Sequence, residues 1–292
     1  MTATEPKSAT TDLFENPLGT DGFEFVEFTS PEPERLKGLF ELMGFAATAR
    51  HRSKNVLRFR QGDINFILNM EPAGQAAEFR RAHGPSANAM AFRVKDAALA
   101  LKLAVERGAK AVIGPVGPME LNIPAIEGIG GSNLYLVDRY GAQEIYDVDF
   151  KAIEGAEGAM AQADAGLTYI DHLTHNVFRG NMGKWADFYE RIFNFREIRY
   201  FDIEGQATGV KSKAMTSPCG QIRIPINEEG SERPGQIQEY LDRYHGEGIQ
   251  HVALGSRNLY RTVEGLRANG VRLLDTPETY YELVEKRIPD HG

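Results

Sequence analysis

The sequence predicts an α+β fold made of two tandem modules, and three observations support this prediction. Residues 89–112 align without a gap with residues 251–274, at an offset of 162 positions. A second match relates residues 25–45 to residues 170–195. Each matched segment has the pattern of an apolar strand, then an amphipathic helix, then a glycine or asparagine before the next strand. Repeated segments of this kind indicate a duplicated module.

The helices of the two copies are predicted from apolar residues at helical spacing. A stripe of this kind follows Ser30 and Pro31, which are typical of a helix start. In the first copy the apolar positions are Leu36, Leu39, Phe40 and Met43, and then Ala97, Ala100, Leu101 and Ala104. In the second copy they are Trp185, Phe188, Tyr189 and Ile192, and then Leu259, Thr262, Val263 and Leu266. Both copies therefore predict two helices that each bury one face.

Four domain segments follow from the repeat and from local composition. Residues 1–20 are polar and are expected to form a flexible N-terminus. Residues 21–150 form the first module, which is expected to be non-catalytic. Residues 151–167 are rich in alanine, glycine and acidic residues, as in a linker, and residues 168–292 form the second, catalytic module.

Composition excludes several classes of protein. The formal net charge of −8 argues against a general nucleic-acid binder. The chain contains no apolar run of about 20 residues, the length that a membrane span needs. Its N-terminus lacks the apolar segment of a secretory signal, and the single cysteine, Cys219, forms no internal disulfide. We therefore predict a cytoplasmic protein with neither nucleic acid nor membrane among its partners.

Histidine placement differs between the two copies and indicates where chemistry is located. His172 aligns with Glu27, and His251 aligns with Ala89, so only the second module has a histidine in each half. Two imidazoles on neighbouring strands form part of a site for divalent iron, zinc or copper. The alternative is that each is a half-buried structural histidine. His175 lies three residues after His172, hence on the opposite face of the strand, and is predicted to be structural or supporting.

Four runs give the sequence a family resemblance that covers essentially the whole chain. They are "IGGSNLYLVDRYG" in the first module, and "YIDHLTHNV", "SKAMTSPCGQIRIPINEE" and "GIQHVAL" in the second. Together they resemble the bacterial 4-hydroxyphenylpyruvate dioxygenases, which belong to the vicinal oxygen chelate superfamily. The resemblance implies tandem βαβββ modules that form two open barrels, and an iron(II) site inside the second barrel. It also implies a homo-oligomer.

The same resemblance implies roles for particular residues. His172 and His251 match the family's two histidine ligands for iron. Four polar residues match positions that line the family's substrate pocket: Ser212, Asn227, Gln236 and Gln250. The implied reaction converts 4-hydroxyphenylpyruvate, a 2-oxo acid, and O₂ to homogentisate and CO₂ in tyrosine and phenylalanine catabolism. Loss of CO₂ from the substrate supplies two electrons, so no organic redox cofactor is needed.

The family's third iron ligand is a glutamate near its C-terminus, and this ligand is expected beyond Gly292. Residues 131–150 of the first module would correspond to positions 293–312, so the repeat also predicts that the second module continues past residue 292. We expect a C-terminally truncated chain with an incomplete second barrel and impaired activity. The nearest carboxylates, Glu278, Glu282 and Glu285, lie in a predicted helix or loop and are not assigned as ligands.

Three alternatives remain open from the sequence. Hydroxymandelate synthase has the same scaffold and substrate, although Pro225 and Asn227 favour the homogentisate-forming branch. A metal-free binding module also uses this type of repeat. A zinc isomerase of the glyoxalase type is less favoured, because we expect no suitable carboxylate in the first module's pocket.

Overall fold

Two mixed β-sheets organise the chain, and the computed structural model describes residues 11–114, 117, 119–204, 209–276, 278–282 and 284. The strands are β1 (Thr20–Thr29), β2 (Ala46–His51), β3 (Val56–Gln61), β4 (Ile64–Asn69), β5 (Ser86–Val94), β6 (Ala125–Glu127), β7 (Asn133–Val137), β8 (Phe150–Ala152), β9 (Leu167–Asn176), β10 (Arg196–Glu204), β11 (Gly209–Thr216), β12 (Arg223–Glu229) and β13 (Gly248–Ser256). The helices are α1 (Pro33–Leu42), α2 (Gln75–His83), α3 (Ala97–Glu106), α4 (Tyr146–Asp149), α5 (Ala156–Ala163), α6 (Met182–Phe193), α7 (Gln236–Tyr244), α8 (Leu259–Ala268) and α9 (Glu278–Glu282).

Equivalent strand pairings in the two sheets confirm the duplicated α+β architecture. The first sheet has the order β6-β7-β5-β1-β4-β3-β2-β8, and the second has the order β10-β11-β12-β9-β13. In the first, β1 pairs in parallel with β4 and antiparallel with β5. In the second, β9 pairs in parallel with β12 and antiparallel with β13. The first strand of each module therefore lies inside its sheet, with one parallel and one antiparallel neighbour.

The repeat extends to the hydrogen bonds that begin its helices. Asp96 caps α3 by accepting a hydrogen bond from the backbone N–H of Leu99, at 2.8 Å. Asn258, which is 162 positions later, caps α8 by accepting from the backbone N–H of Arg261, at 3.1 Å. Aspartate and asparagine are favoured at this position because their side-chain oxygens satisfy a free N–H of the first turn.

One continuous hydrophobic core joins the two modules. The ring of Phe92 from β5 contacts the rings of Phe193 and Phe195, at centroid distances of 5.4 and 6.0 Å. All three side chains are fully buried. A smaller apolar cluster that includes Phe25, Ile67 and Tyr146 belongs to the first module alone. The second module is consequently held against the first by buried aromatic surface, which favours a fixed arrangement of the two sheets.

The segments predicted as flexible terminus and linker contain ordered contacts. Leu18 is buried, and the backbone N–H of Leu13 donates to the carbonyl of Pro218 at 2.7 Å. Residues 11–20 thus contact the second module, whereas residues 1–10 lie outside the described part of the chain. Within the predicted linker, β8 pairs with β2 and helix α5 follows.

Among the described residues, no helix has both the length and the apolar character that a membrane crossing requires.

Candidate metal centre

Two imidazole nitrogens converge on the second sheet. His172 lies on β9 and His251 lies on the antiparallel neighbour β13. Their Nε2 atoms are 3.4 Å apart, and the two rings are inclined at 72°. Two imidazole nitrogens that each lie about 2.1 Å from one metal ion are separated by about 3.0–3.4 Å when the angle at the metal is near 90–110°. The observed spacing therefore fits two ligands of one ion.

The Nδ1 atoms of both rings already have hydrogen-bond partners, which fixes the direction of both Nε2 lone pairs. His172 Nδ1 lies 2.8 Å from Asp171 Oδ2, and His251 Nδ1 contacts Gln250 Oε1. A carboxylate and an amide oxygen can only accept hydrogen bonds, so in the neutral rings each Nδ1 donates its N–H. Both Nε2 lone pairs then face the shared space. This is the arrangement that a divalent cation requires of two histidine ligands.

Partial desolvation and the neighbouring His172 both favour the neutral form of His251. Partial burial lowers the pKa of His251 below its usual value, and the neighbouring His172 lowers it further. A neutral imidazole binds metals, whereas an imidazolium has no free lone pair. The hydroxyl of Thr174 lies 2.9 Å from His251 Nε2 and donates to its lone pair, a hydrogen bond that a bound metal ion would replace. Thr174 is almost completely buried.

A β-bulge at Gln250 brings two consecutive side chains to the site. Ile249 pairs with His175 and His251 pairs with Thr174, so Gln250 is an extra residue on β13. On a regular strand Gln250 and His251 would face opposite sides. The bulge allows both to lie near His172, while Ile249 remains buried in the core on the other face. Bulges commonly re-aim side chains next to functional sites in this way.

His175 lies on the opposite face, as the strand alternation predicts. Its Nε2 atom is 2.6 Å from the hydroxyl of Tyr189 on α6, and both side chains are fully buried. Burial lowers the pKa of His175 to about 3, so the ring is neutral at ordinary pH. This histidine joins the sheet to the helix and does not face the site.

Two of the predicted substrate residues are cross-strand neighbours. Ser212 on β11 pairs with Asn227 on β12, and Asn227 pairs with Asn176 on β9. Asn227 Nδ2 donates to Asn176 Oδ1 at 3.4 Å. Asn176 is four residues from His172 on the same strand, and an even separation places both side chains on one face. Ser212 and Asn227 therefore belong to the face that presents His172.

The other two predicted substrate residues are placed differently. The amide oxygen of Gln250 contacts His251, so in this structure it orients a proposed ligand. Gln236 is the first residue of α7, and its side chain is exposed. The carboxylate of Glu229 anchors this end of α7 by accepting from the backbone N–H groups of Gly235 and Gln238, at 2.9 and 3.3 Å. None of the four has a tested role, and their assignment to substrate stays a prediction.

Sequence reasoning missed several residues around the histidine pair. Asp171 contacts His172 and Thr174 contacts His251, and Arg223 Nη1 donates to Asp171 Oδ1 at 2.9 Å. The period of two along β9 would have identified Thr174, because it lies two residues from His172 on the same face. No local signal identifies Arg223, which comes from another strand.

The first module contains a buried carboxylate at the position that aligns with His172. Glu27, at the position equivalent to His172, accepts hydrogen bonds from Asn88 and Asn69 at 2.7 and 2.9 Å. Burial raises the pKa of Glu27. Glu27 is therefore a carboxylate on the face of the first module that corresponds to the histidine pair, and the expectation that no suitable carboxylate for a zinc isomerase lies there stays a prediction. Even so, the described part of the chain contains no group of three or more His, Cys, Asp or Glu side chains that could hold a metal ion.

The C-terminal carboxylates remain unassigned as ligands. Glu278 and Glu282 lie in helix α9, as the sequence suggested, and Glu285 is outside the described residues. The glutamate ligand predicted beyond Gly292 stays a prediction.

Comparison with known proteins agrees with the fold. A family model described as "Glyoxalase/Bleomycin resistance protein/Dioxygenase superfamily" matches residues 169–284, and one described as "Hydroxyphenylpyruvate dioxygenase, HPPD, N-terminal" matches residues 14–151. The protein is thus a tandem member of the glyoxalase and dioxygenase class. A 4-hydroxyphenylpyruvate dioxygenase from Pseudomonas aeruginosa is 59% identical over 280 residues, which are 95% of this chain and 78% of that relative. The chain belongs to the 4-hydroxyphenylpyruvate dioxygenase family.

Two further similarities extend the comparison. Hemolysin VllY from Vibrio vulnificus is 58% identical over 279 residues, covering 94% of this chain and 78% of its own. The solved structure of a 4-hydroxymandelate synthase mutant from Streptomyces coelicolor aligns with a TM-score of 0.79 at 22% identity, over 92% of this chain and 80% of its own. That structure confirms the fold alone. The family prediction is confirmed, and the hydroxymandelate alternative has the weaker sequence similarity.

Proposed function

We propose that this chain binds divalent iron through His172 and His251 and converts 4-hydroxyphenylpyruvate and O₂ to homogentisate and CO₂. The observation that supports this most directly is the 3.4 Å separation of the two Nε2 atoms, with both Nδ1 atoms engaged elsewhere. Family membership at 59% identity supports the substrate and the reaction. When bound, iron(II) would supply the O₂ and electron-transfer chemistry that amino-acid side chains lack.

The chain's own residues would bind and orient the substrate. Ser212 and Asn227 present a hydroxyl and an amide on neighbouring strands, and these groups suit the carboxylate or phenol of a 2-oxo acid with an aromatic ring. Holding the ring in one orientation lowers the entropic cost of reaction. The third ligand is proposed to be a carboxylate, because a facial triad of two histidines and one carboxylate leaves positions open for substrate and O₂. Homo-oligomer formation and a cytoplasmic location stay predictions.

Metal titration tests the ligand pair. The metal-free chain would be titrated with Co(II), a spectroscopic substitute for iron(II), alongside His172→Ala and His251→Ala. His245→Asn is the matched control, because His245 is exposed and has a positive φ that asparagine tolerates. We expect loss of Co(II) binding in both alanine variants and no change in the control. Wild-type affinity in His172→Ala and His251→Ala would exclude this site, whereas absence of Co(II) binding in the wild-type chain would favour a metal-free binding module.

Product analysis tests the reaction. The chain loaded with iron(II) would be supplied with 4-hydroxyphenylpyruvate and O₂, and the products would be separated by chromatography and identified against authentic homogentisate and hydroxymandelate, which are isomers of equal mass. Homogentisate supports the proposal. Hydroxymandelate as the main product would instead assign the chain to the alternative reaction on the same scaffold.

A further inference from the structure

The carboxylate of Asp171 connects the proposed ligand His172 to a cation on the neighbouring strand. Its Oδ2 atom lies 2.8 Å from His172 Nδ1, and its Oδ1 atom accepts from Arg223 Nη1 at 2.9 Å. The two oxygens therefore have separate partners. Because Arg223 occupies one oxygen, the other stays directed at the imidazole. The side chains of His172 and Asp171 are 28% and 32% exposed, so neither contact is fully screened by solvent.

A neutral histidine carries its proton on either ring nitrogen, and only one of these tautomers can bind a metal through Nε2. An ionised carboxylate beside Nδ1 accepts the N–H there and leaves the Nε2 lone pair free. We infer that Asp171, held in place by Arg223, is a positioning residue that fixes the tautomer and the ring orientation of His172. This inference rests on the proposed function, in which His172 is an iron ligand.

The Nδ1 atoms of the two proposed ligands have different hydrogen-bond partners. His251 Nδ1 meets the neutral amide oxygen of Gln250, whereas His172 Nδ1 meets a carboxylate. A carboxylate partner makes an imidazole a more basic ligand than an amide partner does. His172 is accordingly expected to be the stronger of the two metal ligands. We also expect Asp171 to contribute more to metal affinity than Gln250 does.

Arg223 also places this contact at the boundary between the modules. It lines a cleft of about 320 Å³ together with Asp63 and Arg93 of the first module and Gln221 of the second. The Arg223 side chain is 42% exposed, so its ion pair with Asp171 is partly screened. We expect the direct hydrogen bond from Asp171 to have the larger effect and Arg223 to have a smaller one.

The test compares Asp171→Asn and Arg223→Gln with the wild-type chain by two measurements. The first is Co(II) affinity, which we expect to fall about 10–100-fold in Asp171→Asn and about two- to fivefold in Arg223→Gln. The second is the ¹⁵N chemical shifts of the His172 ring in the metal-free chain, which report the tautomer without metal or activity. We expect one tautomer, protonated at Nδ1, in the wild type and a mixture in Asp171→Asn.

The control is Glu197→Gln, which removes a surface ion pair with Lys213 in the same sheet. It should leave both measurements unchanged. Unchanged Co(II) affinity and unchanged ¹⁵N shifts in Asp171→Asn would overturn the inference while leaving the ligand assignment intact. Retained Co(II) binding in His172→Ala would instead overturn the ligand assignment itself. If Asp171→Asn does not fold, Arg223→Gln still decides, because unaltered shifts and affinity in that variant contradict the inference.

Discussion

Asn88 and Gln250 are the extra residues of equivalent β-bulges, one in each module. On β5, Asn88 lies between residues that pair with Glu27 and Phe28, and on β13 Gln250 interrupts the ladder in the same way. Each bulge residue directs its amide at a side chain of its own module. Asn88 donates to Glu27, whereas Gln250 accepts from His251. The two modules therefore share the backbone irregularity but differ in side chains, since Glu27 and Ala89 of the first module occupy the positions of His172 and His251 in the second.

Replacing Gln250 by alanine should weaken metal binding only modestly. The change removes a neutral acceptor from His251 Nδ1, and one neutral hydrogen bond contributes about 0.5–1.5 kcal/mol, so affinity for Co(II) should fall about two- to tenfold. The measurement is the same Co(II) titration, with Gln238→Ala on α7 as the control. A loss as large as that of His251→Ala would instead mean that Gln250 determines the position of His251.

The acid sensitivity of the fold should depend in part on His175. Its pKa is lowered from 6.5 to about 3, so between these values the unfolded chain binds a proton that the native chain does not. The free energy of unfolding should therefore decrease as pH falls below 6.5, by about 1.4 kcal/mol per pH unit from this group. In His175→Gln the slope should be smaller by that amount.

Urea unfolding at several pH values between 7 and 4 provides the comparison. Only the slope with pH is interpreted, because the substitution itself also changes packing next to Tyr189. His245→Asn again serves as a control and should keep the wild-type slope. Equal slopes in the wild type and in His175→Gln would contradict the role assigned to burial.

Glu229→Ala should loosen the start of helix α7. Glu229 is buried, and its carboxylate accepts from two N–H groups that the helix itself leaves free. Loss of a helix cap costs about 0.5–2 kcal/mol of unfolding free energy. Gln236, which we propose as a substrate-binding residue, begins this helix. We therefore also expect KM for 4-hydroxyphenylpyruvate to rise more than kcat falls.

Hydrogen exchange of the backbone amides of residues 235–238 provides a direct measurement for this variant. Exchange should accelerate in Glu229→Ala and stay at the wild-type rate in Glu232→Ala, which alters an exposed neighbour. Unchanged exchange in Glu229→Ala would show that α7 is held by its packing against the sheet rather than by this cap.

The duplication, the amphipathic helices and the placement of His172 and His175 on opposite faces of one strand could all be predicted from the sequence. These features depend on local periodicity and on short-range hydrogen bonds, which can be read along the chain. The resemblance added the family, and the comparisons confirmed it.

Tertiary structure alone decided how the site is supported. The bulge at Gln250, the contact from Arg223 to Asp171 and the aromatic core around Phe92 each depend on strand register or on segments distant in sequence. Period-two alternation assigns Gln250 and His251 to opposite faces, and only the interrupted ladder brings both to the site. Register and long-range packing are set by the global balance of buried surface and backbone pairing, which no single stretch of sequence specifies.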